Sequence, residues 1–78
     1  MGMTATDFLF DSLEEEISSG KMGPGFALRQ DEIAKRFDVS RIPVREALLR
    51  LESAGLISIK SNRGAYVIEM NQQEIKEV

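Results

Sequence analysis

Apolar residues recur through the first quarter of the chain at Leu9, Leu13 and Ile17, every fourth position, and Phe8 and Phe10 widen the stripe. This is the period of a helix with one buried face. It predicts a first helix over residues 7–19, with Thr6 or Asp7 as its N-cap and Gly20 as its stop. M22-G-P-G25 then sets two glycines around a proline and breaks the pattern. Residues 26–28 suit a very short strand. Ile33, Ala34 and Phe37 mark a second helix over residues 30–37, and Asp38, Val39 and Ser40 form a tight turn before a third.

Ser40 reads as the N-cap of that third helix, which runs to Ala54 and stops at Gly55. Val39 and Val44 take the two positions of a hydrophobic staple around its first turn. On a wheel of about 100° per residue, Val44, Ala47, Leu48 and Leu51 share one arc, as wide as a core-facing stripe. Arg41, Ile42 and Arg45 lie on another side, next to Leu49 and Glu52. The period then changes: residues 56–60 and 65–68 are short runs rich in β-branched and aromatic residues around S61-N-R-G64, which predicts a β-hairpin. N71-Q-Q-E74 has the pattern of a helix start. The expected organisation is one folded unit over residues 1–70, followed at 71–78 by the start of a linker to a further domain. The fold class is mainly α with a small β-hairpin wing, a winged helix-turn-helix.

Composition narrows the chemistry. The chain has 78 residues with no Cys and no His, which rules out a disulfide framework, a thiolate metal site and the commonest general base. No catalytic residue, metal site or cofactor is expected, and the chain is not read as an enzyme. No apolar run approaches the roughly 20 residues that span a bilayer, and no secretory signal opens the sequence, so the expected location is the cytoplasm, without a membrane partner.

The net charge of −3 is unevenly spread: residues 1–28 carry −4, residues 29–63 carry +3 and residues 64–78 carry −2. Local field guides an anionic partner more than net charge does, so a basic centre between acidic ends changes the picture. The third helix occupies that centre. Pro43 is tolerated in its first turn, where an N–H has no intrahelical partner, and stiffens the end of the helix. The N-terminal amides and dipole attract an anion, and Ser40 adds a hydroxyl. Arg41 and Arg45, four apart, share a face and can reach base edges or phosphates in one groove, and Ile42 can meet a thymine methyl. The wing tip, Asn62, Arg63 and Gly64, would enter or flank the adjacent minor groove, with Lys60 as a DNA contact that carries no sequence preference. Two plainer readings stand beside this one. Glu46 and Glu52 could lace the arginines into exposed ion pairs. Alternatively, the chain could be a protein-interaction module without DNA binding, using the acidic first helix with Phe8 and Phe10.

The stretches I17-S-S-G20, P24-G25, I33-A34, V39-S-R-I-P-V-R-E-A-L48, Leu51, G55-L56 and R63-G-A-Y-V67 resemble the DNA-binding domain of GntR-family bacterial transcription regulators, in particular the FadR-like branch. The resemblance covers residues 8–70. It implies a sequence-specific domain that binds double-stranded DNA at a short palindromic operator, as a homodimer in the full-length repressor or activator. Its DNA-contacting positions fall on Ser40, Arg41, Ile42, Pro43 and Arg45, with Arg63 and Gly64 in the wing. It also implies a C-terminal, all-helical domain that dimerises and binds a small-molecule effector, so the chain is expected to be the DNA-binding part of a longer protein. One position departs from the pattern: Asp31 stands where many members have a DNA-touching arginine. Either Asp31 only caps its helix, or Arg29 takes over the contact.

Overall fold

The computed structural model describes residues 3–60 and 64–68. The wing tip with Asn62 and Arg63, and the expected linker at 71–78, lie outside the described residues. Three helices, α1 (Ala5–Ser18), α2 (Gln30–Phe37) and α3 (Arg41–Ser53), precede or flank three strands, β1 (Ala27–Leu28), β2 (Ile57–Lys60) and β3 (Gly64–Val67). This is the winged helix-turn-helix that the pattern predicts.

The first helix starts earlier than expected, because its N-cap is Thr4. Asp7 N–H donates to Thr4 Oγ1 at 3.1 Å, and Thr4 N–H donates back to Asp7 Oδ2 at 3.2 Å. This is a reciprocal capping box in which Asp takes the usual place of Glu or Gln. Leu9 and Leu13 are fully buried and Ile17 packs against them, as the four-residue period requires. Phe8 departs from the predicted stripe. It is about half exposed and meets Phe37 of α2 edge-on, with ring centroids 5.9 Å apart.

The turn between α2 and α3 depends on Asp38, which adopts a left-handed conformation (φ 58°). The reversal lets Val39 N–H donate to Ala34 O at 3.0 Å and Asp38 N–H to Lys35 O at 3.3 Å, satisfying the last carbonyls of α2. Asp is among the few side chains that enter this region at small cost. At the far end of α3, Gly55 (φ 82°) does the same: its N–H bonds Glu52 O at 2.9 Å and the Leu56 N–H bonds Leu51 O at 3.0 Å. The chain therefore leaves α3 sharply and runs directly into β2.

The sheet is larger than the predicted hairpin. Its order is β1-β3-β2, and both pairings are antiparallel. β3 lies in the middle, with Ser58 opposite Tyr66 on one side and Ala27 opposite Tyr66 on the other. The preceding loop extends this pairing, since Gly25 N–H donates to Val67 O and Val67 N–H to Phe26 O. The core gathers Leu9, Leu13, Met22, Leu28, Ile33, Val44, Leu48, Leu51, Ile57 and Val67 between the helices and one face of the sheet. Val44, Ala47, Leu48 and Leu51, the arc picked out on the wheel, are all buried, so α3 has a single possible rotation about its axis.

Candidate nucleic-acid interface

With its inner face fixed, α3 turns its remaining residues to solvent. Arg41, Ile42 and Arg45 are exposed, and Ile42, at 69 %, is more exposed than any other large apolar side chain among the described residues. Pro43 is half-buried at the third helical position. Ser40 occupies the N-cap position with extended backbone, but its side chain makes no capping hydrogen bond. The predicted cap is therefore right in place and different in chemistry. The first-turn amides of α3 have no intrahelical acceptor, and the serine does not cover them.

The acids on α3 are committed elsewhere. Glu46 Oε1 accepts from the Thr6 hydroxyl of α1 at 3.0 Å, and Glu52 Oε2 accepts from the Ile59 N–H of β2 at 3.1 Å. The proposed lacing of the arginines by these two glutamates is thus not what the structure shows. Among the described residues the ion pairs are Arg50 with Asp7, at 2.8 Å, and Arg36 with Glu16. Arg29, Arg41, Arg45 and Lys60 carry no ion pair among the described residues. Four cations without an ion pair among the described residues thus lie on α3 and around the cleft beside it, whereas Arg36 and Arg50 are paired with acids of α1 at the surface.

Those two surface pairs join α1 to α2 and to α3. Arg36 bonds both carboxylate oxygens of Glu16 and lies 4.7 Å from the centre of the Phe37 ring. Arg50 bonds Asp7 and lies 4.5 Å from the centre of the Phe10 ring. The Arg50 hydrogen bond, helped by those from Thr4, holds the Asp7 carboxyl below the usual carboxylate range. The Arg36 hydrogen bond lowers Glu16 against the opposing effect of desolvation, and Glu16 in turn raises Arg36.

Between α3, the start of α2 and the wing lies a cleft of about 580 Å³, lined among others by Arg29, Asp31, Arg45, Leu49, Lys60 and Gly64. It brings together three of the predicted site residues, Arg45, Lys60 and Gly64. Ser40, Arg41, Ile42 and Pro43 form a second group at the tip of α3, while Asn62 and Arg63 lie outside the described residues. Gly64 has φ 91° and pairs with Lys60 at the end of the ladder, a conformation suited to glycine. Asp31 accepts from the Glu32 N–H at 3.0 Å in the first turn of α2, where an acid complements the helix dipole. Arg29, the N-cap residue of α2, stands beside it in the same cleft. The N-cap position of α2 is thus Arg29 rather than Asp31, and Asp31 bonds only the next amide within the first turn.

Among the described residues, no group of three or more acids is arranged to hold a metal ion, and no helix is long and apolar enough to cross a membrane. Pattern reading missed the Thr6–Glu46 and Glu52–Ile59 bonds, for which the linear sequence carries no signal. It also missed the capping box, which the Thr4-x-x-Asp7 spacing does encode.

Comparison with known proteins agrees with this geometry. The family model described as bacterial regulatory proteins, gntR family, matches residues 5–67. The HTH-type transcriptional repressor RspR of Escherichia coli is 37 % identical over 68 residues, covering 87 % of this chain and 30 % of its own length. A crystal structure of a GntR family member from Pseudomonas syringae superposes with a TM-score of 0.81 at 38 % identity, over 90 % of this chain and 30 % of the other. The DNA-binding domain of AraR in complex with an operator gives a TM-score of 0.78 at 25 % identity, over 85 % of this chain and 81 % of that domain. The chain thus spans under a third of the length of RspR and of the Pseudomonas regulator.

Proposed function

Because the chain belongs to the gntR family of bacterial regulatory proteins, we propose that it binds double-stranded DNA sequence-specifically, with α3 as the recognition helix and the β2–β3 hairpin as the wing. The observation that carries this reading is the pairing pattern on α3. Its two glutamates are engaged by Thr6 and Ile59, and Arg41 and Arg45 are left exposed without an ion pair among the described residues. An operator-bound fold relative, the AraR domain, supports the same use of the fold.

In this reading Ser40 and the uncovered amides at the start of α3 hold a phosphate, and Arg41 and Arg45 read base edges. Ile42 meets a thymine methyl beside the stiff turn at Pro43. Lys60, Asn62, Arg63 and Gly64 of the wing follow the adjacent minor groove and its phosphates. Arg29 serves the DNA backbone from the start of α2, beside Asp31 in the same cleft. On the resemblance to the FadR-like branch, we further propose homodimeric binding to a palindromic operator in the cytoplasm. Control by a small-molecule effector would reside in a C-terminal domain, and repression, the role in RspR's name, is the proposed mode.

The test is titration of labelled duplexes at several salt concentrations. A DNA-binding domain shows an affinity that falls linearly on a log–log plot against salt. An affinity too weak to measure at low salt would sink the reading and favour a protein-interaction module, for which the exposed Phe8 beside Phe37 is the candidate face.

A further inference from the structure

β2 is an edge strand, so alternate backbone N–H groups along it face away from β3 without a ladder partner. One of these, the Ile59 N–H, donates to Glu52 Oε2 at 3.1 Å. Glu52 lies in the last turn of α3, where the negative end of the helix dipole disfavours a carboxylate, and no cation pairs with it among the described residues. The helix dipole and local ion pairing therefore do not account for an acid at this position. The tertiary hydrogen bond does.

The bond also sits at a telling place in the wing. Ile57 and Val67, both buried, fix the base of the hairpin against the core. Ile59 is half-buried and is the last β2 residue packed on the core before exposed Lys60. A carboxylate reaching from α3 to Ile59 thus ties the outer half of the wing directly to the helix that carries Arg45. We propose that Glu52 is a positioning residue: its carboxylate sets the angle between α3 and the wing, and so the placement of Lys60 and Gly64 in the cleft they share with Arg45. The geometric part stands by itself, and its consequence for affinity rests on the DNA-binding reading.

Two variants separate positioning from charge, because charge alone predicts that they behave alike and positioning predicts that they differ. A carboxylate seven residues beyond Arg45 repels phosphate, so if charge were its whole contribution, Glu52→Ala and Glu52→Gln would tighten DNA binding equally. If Glu52 positions the wing, Glu52→Gln retains an oxygen acceptor and binds DNA as well as the parent chain or better. Glu52→Ala then binds more weakly than Glu52→Gln by a factor on the order of threefold, the size of one surface hydrogen bond. Amide residual dipolar couplings of the ¹⁵N-labelled 78-residue chain give the geometric readout. Those of Ser58, Ile59, Lys60, Gly64 and Ala65 should reorient or average in Glu52→Ala, but not in Glu52→Gln, while those of α1 and α2 stay fixed in both.

Identical wing couplings in the parent chain and Glu52→Ala would overturn the proposal. Couplings that change in Glu52→Ala while the two variants bind DNA alike would uphold the positioning role and remove the wing from DNA binding, which is a failure of the functional reading instead.

Discussion

Arg45→Ala isolates the central feature of the interface. Arg45 is exposed, has no ion pair among the described residues, and is followed by acids already bonded to Thr6 and Ile59. Truncating it leaves no stranded partner and opens no cavity, so folding stability should stay within about 0.5 kcal/mol of the parent chain. If its guanidinium bonds a guanine bidentately, the cost on the cognate duplex is about 1–3 kcal/mol, a loss of about 5- to 150-fold. A scrambled duplex loses only a non-specific attraction and should change far less. Fluorescence anisotropy with both duplexes at one fixed salt concentration reads the difference. Arg50→Ala is the informative control, because Arg50 is spent on Asp7 and on the Phe10 ring. It should lower Tm by about 4 °C and leave selectivity unchanged. Equal losses on cognate and scrambled DNA for Arg45→Ala would remove that residue from base reading.

Further outcomes follow from the same contacts. Lys60→Ala should weaken cognate and scrambled duplexes alike and reduce the salt slope by about 1, measured by the same anisotropy titrations at several salt concentrations. Leu51→Ala, at a fully buried position between the helices and the sheet, should cost about 3 kcal/mol, seen as a lower urea midpoint at unchanged slope. Asp38→Val puts a β-branched side chain at φ 58° and should cost roughly 1–2 kcal/mol, whereas Asp38→Gly should not destabilise; thermal melts of both check the turn. Asp7 and Glu16 are held below their ordinary values of 3.8 and 4.5 in the folded chain, so the unfolded chain binds more protons at acid pH. The stability they supply is fully present above about pH 5 and is lost as pH falls through 4.5 and below, and Arg36→Ala should flatten Tm against pH in that window.

The parts of the fold that were legible in the sequence are those governed by local periodicity and by residues with special backbone preferences. The four apolar positions of α3 select its buried face, and Gly55 and Gly64 occupy the positive φ values that end α3 and open β3. The limits of α2 follow from three apolar positions and the turn after them. β1 was visible only as a two- or three-residue hint. Its pairing with β3 joins residues nearly forty apart, and nothing within so short a segment encodes the partner. Phe8 widens the apolar stripe in the sequence pattern, whereas the rotation fixed by Leu9 and Leu13 turns it outward to Phe37.

The site divides in the same way. Spacing alone places Arg41 and Arg45 on one face, since any helix puts residues four apart together. Whether they are free to act depends on where Glu46 and Glu52 point, and this is a tertiary matter: each is claimed by a residue on a different element. The cleft that joins Arg45 to Lys60 and Gly64 likewise exists only once the hairpin folds back beside α3.

The most direct test of the central claim is selection from randomised duplex DNA by the purified 78-residue chain at low salt, followed by sequencing of what is retained. Enrichment of a short motif is expected, one that Arg45→Ala no longer enriches at its guanine position. Retention of no DNA, or of DNA with no sequence preference in the parent chain, would contradict sequence-specific recognition by α3.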